Sequence, residues 1–254
     1  MCPDAAPGPR RNLKLTLEYD GTGLAGWQRQ KDRPSVQGRL EEALNRLTRE
    51  QVTVIAAGRT DAGVHASGQV VHFRTASRLT PAEIQRGGNA LLPPQIAIVS
   101  AEEAAPDFHA RYHAVSKIYT YDLYTHPVRS VRFRNYSWHV PAKLDVPAMD
   151  RALKYLLGEH DFASFRSVGS TPKTTVRQIL TADISALPGD RIRITLQGTG
   201  FLRHMVRAIV GTLVEVGRLK MTPVEFEAVL RARDRSAAGV TAPAQGLCLR
   251  AVHY

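Results

Sequence analysis

The chain has 254 residues, enough for one large domain or two small ones, and 43% of them are hydrophobic and 22% charged, as in ordinary globular proteins. No apolar run reaches the length of a bilayer span. The net charge of +11 favours a polyanionic partner such as a nucleic acid. Cys2 and Cys248 form no CxxC pair, so neither a zinc site nor a disulfide framework is indicated, and a cytoplasmic location fits best.

The first half of the chain begins with a predicted disordered tail, residues 1–11, which is rich in Pro and small residues. Hydrophobic periodicity then predicts a strand, a helix and two further strands. A second helix is predicted to begin at Thr80, because Thr80-Pro81-Ala82-Glu83 has the pattern of a capping box. These predicted elements are Asn12–Asp20, a helix with Val36, Leu40, Leu44 and Leu47 on one face, Val52–Ala56 and Gln69–Phe73.

The second half repeats this order of elements. Strands are predicted at Ile118–Tyr124, Ile179–Ile184 and Arg191–Leu196, and Thr222 begins a second capping box. Helical faces are predicted from Val146, Met149, Leu153 and Leu156, and from Met205, Ile209 and Leu213. We expect an α+β fold of two similar halves, 12–104 and 105–254. Each would place helices on one face of a mainly antiparallel sheet, and the two open faces would form a central RNA-binding cleft.

A glycine-rich stretch, Gly21-Thr22-Gly23-Leu24-Ala25-Gly26, follows the first strand and fits the pattern G-x-G-x-x-G. A dinucleotide site would require a helix to open at once, so that the pyrophosphate lies on the helix N-terminus. Here the polar, basic segment from Trp27 to Pro34 intervenes. We therefore reject the dinucleotide interpretation and favour a flexible basic loop that carries one aromatic residue and suits RNA contact; a plain surface loop is the alternative.

The segment from Ala57 to Phe73 concentrates polar and glycine residues between two predicted strands, and such loops often carry catalytic groups. Asp61 lies in it, two residues after Arg59. By itself an Asp between glycines is more often a turn former. A metal site from Asp61, His65 and His72 is an alternative, but the glycines and the spacing disfavour it.

Five motifs give this chain a specific resemblance to the tRNA pseudouridine synthase A family. The stretch from Gly58 to His65 resembles the family signature that contains the catalytic aspartate. Two departures occur, Thr199 and Cys248, and neither touches the expected chemistry. The other four motifs are Tyr19-Asp20-Gly21-Thr22 with Gly26-Trp27-Gln28-Arg29-Gln30, Phe108–Tyr112 with Tyr119-Thr120-Tyr121, Gly200–Arg207, and Gly246-Leu247.

The resemblance implies isomerisation of uridine to pseudouridine at nucleotides 38–40 of the tRNA anticodon stem-loop, through a flipped-out nucleotide. It implies no cofactor and no metal, and a homodimer that binds tRNA across both subunits. Arg207 is expected to pair with the aspartate, with Arg203 as a fallback, whereas His65 and His204 receive no proton-transfer role. The implied site residues are Asp61 as the nucleophile, Tyr119 packing on the target uracil, Arg59 contacting RNA, Arg207, and Leu247 in an apolar pocket.

Two other functions are compatible with parts of the sequence. An RNA-binding module without chemistry would explain the charge and the sheets, but it gives no reason for the Arg59-Thr60-Asp61 loop. A metal hydrolase would use Asp61 and His65.

Overall fold

The computed structural model describes residues 10–167, 169 and 173–254. The chain forms two compact units, one of residues up to Ala114 together with Tyr254 and one of Val115–His253. Most of the predicted tail, residues 1–9, lies outside the described residues, and its last residue, Arg11, already begins the first strand. Within the described ranges, no helix is long and apolar enough to cross a membrane.

The N-terminal unit combines a set of antiparallel strands with two helices. Its strands lie in the order β4-β1-β3, and β2 pairs with β3; every one of these pairings is antiparallel. The elements are β1 (Arg11–Tyr19), α1 (Val36–Thr48), β2 (Ile55–Ala56), β3 (His65–Thr75), α2 (Pro81–Leu91) and β4 (Ile96–Ala104).

The predicted strand Val52–Ala56 is shorter in the structure than the sequence indicated. Only its last two residues pair with β3, because side chains of α1 take the earlier backbone N–H groups. Val52 N donates to Asn45 Oδ1 at 2.8 Å, and Val54 N donates to Glu41 Oε1 at 3.0 Å. The backbone donors are satisfied without a strand neighbour.

Both predicted capping boxes are confirmed. Thr80 caps α2 and Thr222 caps α5; each hydroxyl accepts the N–H of the glutamate three residues on, and that glutamate accepts the cap N–H in return. The exchange satisfies backbone donors that a helix start otherwise leaves without a partner.

The C-terminal unit contains an antiparallel sheet in the order β10-β5-β9-β8-β7, with the short β6 parallel to β5. Its most buried helix is α4, whose residues are almost all inaccessible to solvent. The two units together confirm the predicted α+β class. The elements are β5 (Ser116–Tyr124), β6 (Trp138–His139), α3 (Val146–Lys154), β7 (Gly158–Asp161), β8 (Val176–Leu187), β9 (Arg191–Gly198), α4 (Met205–Gly217), α5 (Pro223–Ala232) and β10 (Leu247–His253).

Candidate active site

Asp61 lies in the loop of residues 57–64 that connects β2 to β3 in the N-terminal unit. The loop turns back after Asp61, because Val64 N donates to Asp61 O at 3.1 Å and Gly63 adopts a positive φ of 79°. Asp61 is half-buried, whereas Arg59 is exposed. The turn places Asp61 just before the start of β3.

Hydrogen bonds hold this loop at three points. The Thr60 hydroxyl is buried and lies 2.8 Å from the Tyr19 hydroxyl of β1. Thr60 O accepts a hydrogen bond from Trp27 N at 3.0 Å, and Gly58 O accepts one from Gln69 Nε2 at 2.8 Å. The residues on both sides of Arg59 are therefore tied to the body of the unit, and the residue before Asp61 is tied twice.

Two glycines of the G-x-G-x-x-G stretch allow a second loop to pack on the Asp61 loop. A Cβ on Gly21 would lie 2.2 Å from Val64 O. A Cβ on Gly26, whose φ is +89°, would lie 2.7 Å from Thr60 O. Because α1 begins only at Val36, these glycines do not form a dinucleotide site. They are required by the close approach of the two backbones.

The aromatic residue of this loop does not face solvent: the Trp27 side chain is only 2% exposed and packs in the core near Tyr19. Arg29, two residues after Trp27, forms an ion pair: its Nη2 lies 2.7 Å from the buried carboxylate of Glu41 in α1. The loop is therefore anchored by its aromatic and by its first basic residue. Residues 29–34, which include Lys31 and Arg33, are exposed.

His65 and His72, both on β3, accept hydrogen bonds from the backbone, and His65 Nδ1 also lies 3.1 Å from Asp20 Oδ1. His65 Nδ1 accepts from Gly21 N at 3.0 Å, and His72 Nδ1 accepts from Ala110 N at 3.1 Å. Burial of His72, together with the neighbouring His109, lowers its pKa from 6.5 to about 4. In the part of the chain that the structure describes, no group of three His, Cys, Asp or Glu side chains is placed to hold a metal ion.

Tyr119 lies on β5 of the C-terminal unit and is 8% exposed. The rings of Tyr119 and Phe201 pack edge to face, with centroids 5.0 Å apart and planes inclined at 78°. On the neighbouring strand, Leu249 pairs with Tyr119 and Leu247 pairs with Tyr121. Tyr119 and Leu247 thus lie on adjacent strands, within one apolar region of this unit.

Arg207 lies in the first turn of α4 and is half-buried. It exchanges two hydrogen bonds with Ala242: Arg207 Nε donates to Ala242 O at 2.7 Å, and Ala242 N donates to Arg207 O at 3.0 Å. The backbone of Val240, two residues before Ala242, packs directly on α4, since a Cβ on Gly211 would lie 1.7 Å from Val240 O. Arg203 is exposed by comparison. The hydrogen bond from Nε therefore orients the guanidinium of Arg207.

Tyr121 supports this region, a role that the sequence did not reveal. Its hydroxyl donates to Pro243 O at 2.7 Å, and Gly246 packs so closely on its ring that a Cβ there would lie 2.5 Å from Cζ. Burial raises the pKa of Tyr121 above its ordinary value, and the charge of Arg207 opposes this only in part. Tyr121 thus positions the segment that leads into Leu247.

Each unit brings part of the predicted site together. Arg59 and Asp61 share the N-terminal loop, and Tyr119, Arg207 and Leu247 belong to the C-terminal unit. Sequence reasoning missed the residues that position them. The glycines at positions 21 and 26 were the one signal in the sequence that this segment packs on the Asp61 loop. From the sequence alone, they were attributed to a flexible loop instead.

A family model described as "tRNA pseudouridine synthase" matches residues 16–113 and 152–254. The chain is 50% identical over 244 residues to the tRNA pseudouridine synthase A of Moorella thermoacetica, covering 95% of this chain and 99% of that protein. The protein of the same name from Syntrophotalea carbinolica is 48% identical (95% and 96% covered), and that from Geobacter sulfurreducens is 47% identical (96% and 100%). The chain belongs to the tRNA pseudouridine synthase family. This confirms the resemblance and favours an enzyme over a non-catalytic RNA-binding module.

Proposed function

We propose that this protein isomerises uridine to pseudouridine in tRNA, at nucleotides 38–40, with Asp61 as the catalytic nucleophile. The observation that carries the proposal is the identity of 47–50% to relatives named tRNA pseudouridine synthase A, over nearly the full length of both chains. The proposed substrate also agrees with the net charge of +11.

The reaction breaks the glycosidic bond between C1′ and N1, turns the uracil, and forms a bond between C1′ and C5. N1 gains a proton and C5 loses one, so the product is an isomer of the substrate and no redox partner is needed. A covalent adduct with a carboxylate would divide this change into two easier steps. Asp61 can supply that carboxylate by attack at the ribose or at the base.

The rigidity of the loop supports this role for Asp61. A nucleophile gains most when its geometry is set before the substrate arrives. The hydrogen bonds to Thr60 and the packing of Gly26 fix the backbone on which Asp61 stands. Arg59, exposed on the same loop, would contact the RNA beside the reacting nucleotide.

The C-terminal unit would supply the surroundings of the extruded base. Flipping a nucleotide costs a few kcal/mol of stacking, and apolar and aromatic side chains recover part of it. Tyr119 and Leu247, on adjacent strands, would offer that surface. Arg207, held through its Nε, would pair with Asp61 and orient its carboxylate. We also propose a homodimer that binds tRNA across both subunits in the cytoplasm.

The test is incubation of unmodified tRNA with the protein and mapping of pseudouridine at each position. Wild type should modify nucleotides 38–40, and Asp61→Ala should form no pseudouridine while its Kd for tRNA stays close to that of wild type. Glu18→Ala, a change of an exposed carboxylate on β1, is the matched control and should retain turnover. Absence of pseudouridine with wild type would overturn the function, and turnover by Asp61→Ala would overturn the role of Asp61.

A further inference from the structure

A pocket of about 370 Å³ opens at the end of β5, and we call it the basic pocket. None of the described residues that line it is acidic, and the sequence contains no Asp or Glu from residue 123 to residue 144. Arg129, Arg132 and Arg134 all fall in this stretch. The lining residues are Tyr124, Arg129, Ser130, Val131, Arg134, Ser137, His139 and Gln245.

An aromatic cluster keeps the walls of the basic pocket in place. The Tyr124 ring stacks near His126, with centroids 5.9 Å apart, and contacts Phe133 at the same separation. Arg191 of β9 lies over the Phe133 ring, 4.4 Å from its centroid. Ser137 Oγ donates to Phe133 O at 2.9 Å. The arginine-bearing segment is therefore fastened to the sheet by Phe133.

The charges of the pocket point to an anion. The ion pairs of this unit use other arginines, such as Arg193 with Asp122 and Arg231 with Glu227. Arg129 and Arg134 are exposed, and Arg134 Nη1 donates to a backbone oxygen, that of Val131, at 2.7 Å. Ser130 Oγ accepts from Phe133 N at 3.1 Å and can still donate its own proton. Two guanidinium groups beside such a hydroxyl are a typical setting for phosphate oxygens.

We propose that the basic pocket binds backbone phosphates of the tRNA at a point distant from the reacting nucleotide; this rests on the function proposed above. Tyr119 and Tyr124 are five residues apart on β5, which is about 17 Å along a strand. Gln245 of the pocket lies two residues before Leu247, so the pocket and the proposed uracil surface share one segment of chain. Arg132, exposed beside the pocket, extends the basic surface beyond a single phosphate.

The test is the salt dependence of tRNA binding in the Asp61→Ala background, where no turnover occurs. Adding Arg129→Ala and Arg134→Ala should reduce the slope of log K against log salt concentration by about 2, since each lost phosphate contact contributes about 1. With Asp61 intact, the same pair should raise KM about tenfold or more and leave kcat near that of wild type, as expected for uniform binding. Arg129→Ala alone, at an exposed side chain, should reduce the slope by about 1. This single variant keeps the test valid if the double variant fails to fold.

The charge-matched control is Arg46→Ala with Arg86→Ala, at exposed positions on α1 and α2, which should keep the slope. An unchanged slope in the pocket variants, or an equal decrease in the control pair, overturns the proposal. A third arm measures the melting-temperature shift caused by uridine 5′-monophosphate. If the pocket variants lose that shift but keep the tRNA affinity of the Asp61→Ala protein, the pocket binds free nucleotides and the proposal is overturned. Pseudouridine formation by the wild-type protein is measured separately, so a result that overturns the pocket proposal leaves the proposed function intact.

Discussion

The hydroxyl oxygens of Tyr19 and Thr60 lie 2.8 Å apart in the core of the N-terminal unit, and they join β1 to the residue before Asp61. Both side chains are buried, so the pair exchanges its hydrogen bond without competition from water. This one contact connects the stability of the sheet to the position of the proposed nucleophile.

Tyr19→Phe should weaken both properties. It leaves the buried Thr60 hydroxyl without this partner, which should lower the free energy of unfolding by about 1–3 kcal/mol. A small displacement of Asp61 should lower kcat by roughly tenfold or more, because positional errors of 1 Å are that costly. Urea unfolding and single-turnover assays measure the two effects. Tyr112→Phe, at a side chain that is 74% exposed, is the control; a kcat of Tyr19→Phe equal to that of this control would contradict the prediction.

Gly26→Ala and Gly23→Ala separate backbone strain from steric conflict. Both glycines have positive φ, +89° and +77°, but only at Gly26 would a Cβ meet the Asp61 loop. Gly23→Ala should therefore cost about 1–2 kcal/mol and retain kcat. Gly26→Ala should cost about 2–5 kcal/mol in all, because overpacking adds to the strain, and should lose most of kcat. Thermal unfolding and pseudouridine formation report the outcome, and similar kcat values for the two variants would refute the packing argument.

Arg207→Lys and Arg203→Lys keep the charge and remove the planar guanidinium. Lysine at 207 cannot make the Nε bond to Ala242 O while presenting paired donors to a carboxylate. We expect kcat to fall by about 10–100-fold at position 207, equivalent to about 1.4–2.7 kcal/mol of transition-state stabilisation. At the exposed position 203, kcat should change little. A larger loss at 203 than at 207 would transfer the proposed role to Arg203.

The lowered pKa of His72 predicts a pH dependence of stability. In the folded chain the ring stays neutral down to about pH 4, whereas the unfolded chain takes up a proton near 6.5. Between these values the unfolded state holds more protons, so stability falls as the pH falls, by at most about 1.4 kcal/mol per pH unit. His72→Asn should flatten this part of the curve. Urea titrations from pH 7 to pH 4 measure the difference; parallel curves for wild type and His72→Asn would count against it.

Elements with strong local signals could be predicted from the sequence. Thr80 and Thr222 mark helix starts because the capping residues are neighbours in the chain, and Val36, Leu40 and Leu44 mark a helix because its period is local. β2 was overestimated because Asn45 and Glu41, seven and thirteen residues away, compete for its backbone donors. β4 and β10 were not predicted as strands, and the expected boundary near residue 104 falls at the end of β4.

The site shows the same division. Asp61, Tyr119 and Arg207 were chosen by resemblance to a family signature, and nothing in their spacing would have selected them. The residues that hold them are joined across long separations, 41 residues for Tyr19 and Thr60 and 35 for Arg207 and Ala242. Contacts of that range leave no periodic trace. Trp27 illustrates the error that results, since a polar neighbourhood in sequence surrounds a buried side chain.

The close packing of Gly21 and Gly26 has a consequence for protein engineering. Grafting residues 57–65 alone onto another scaffold would carry the reactive carboxylate but omit the strand end and the second loop that immobilise it. The smallest portable unit must include residues 19–27 as well, in contact with the graft at their native separation. Directed evolution of this enzyme should accordingly tolerate new side chains at position 23 far better than at 21 or 26.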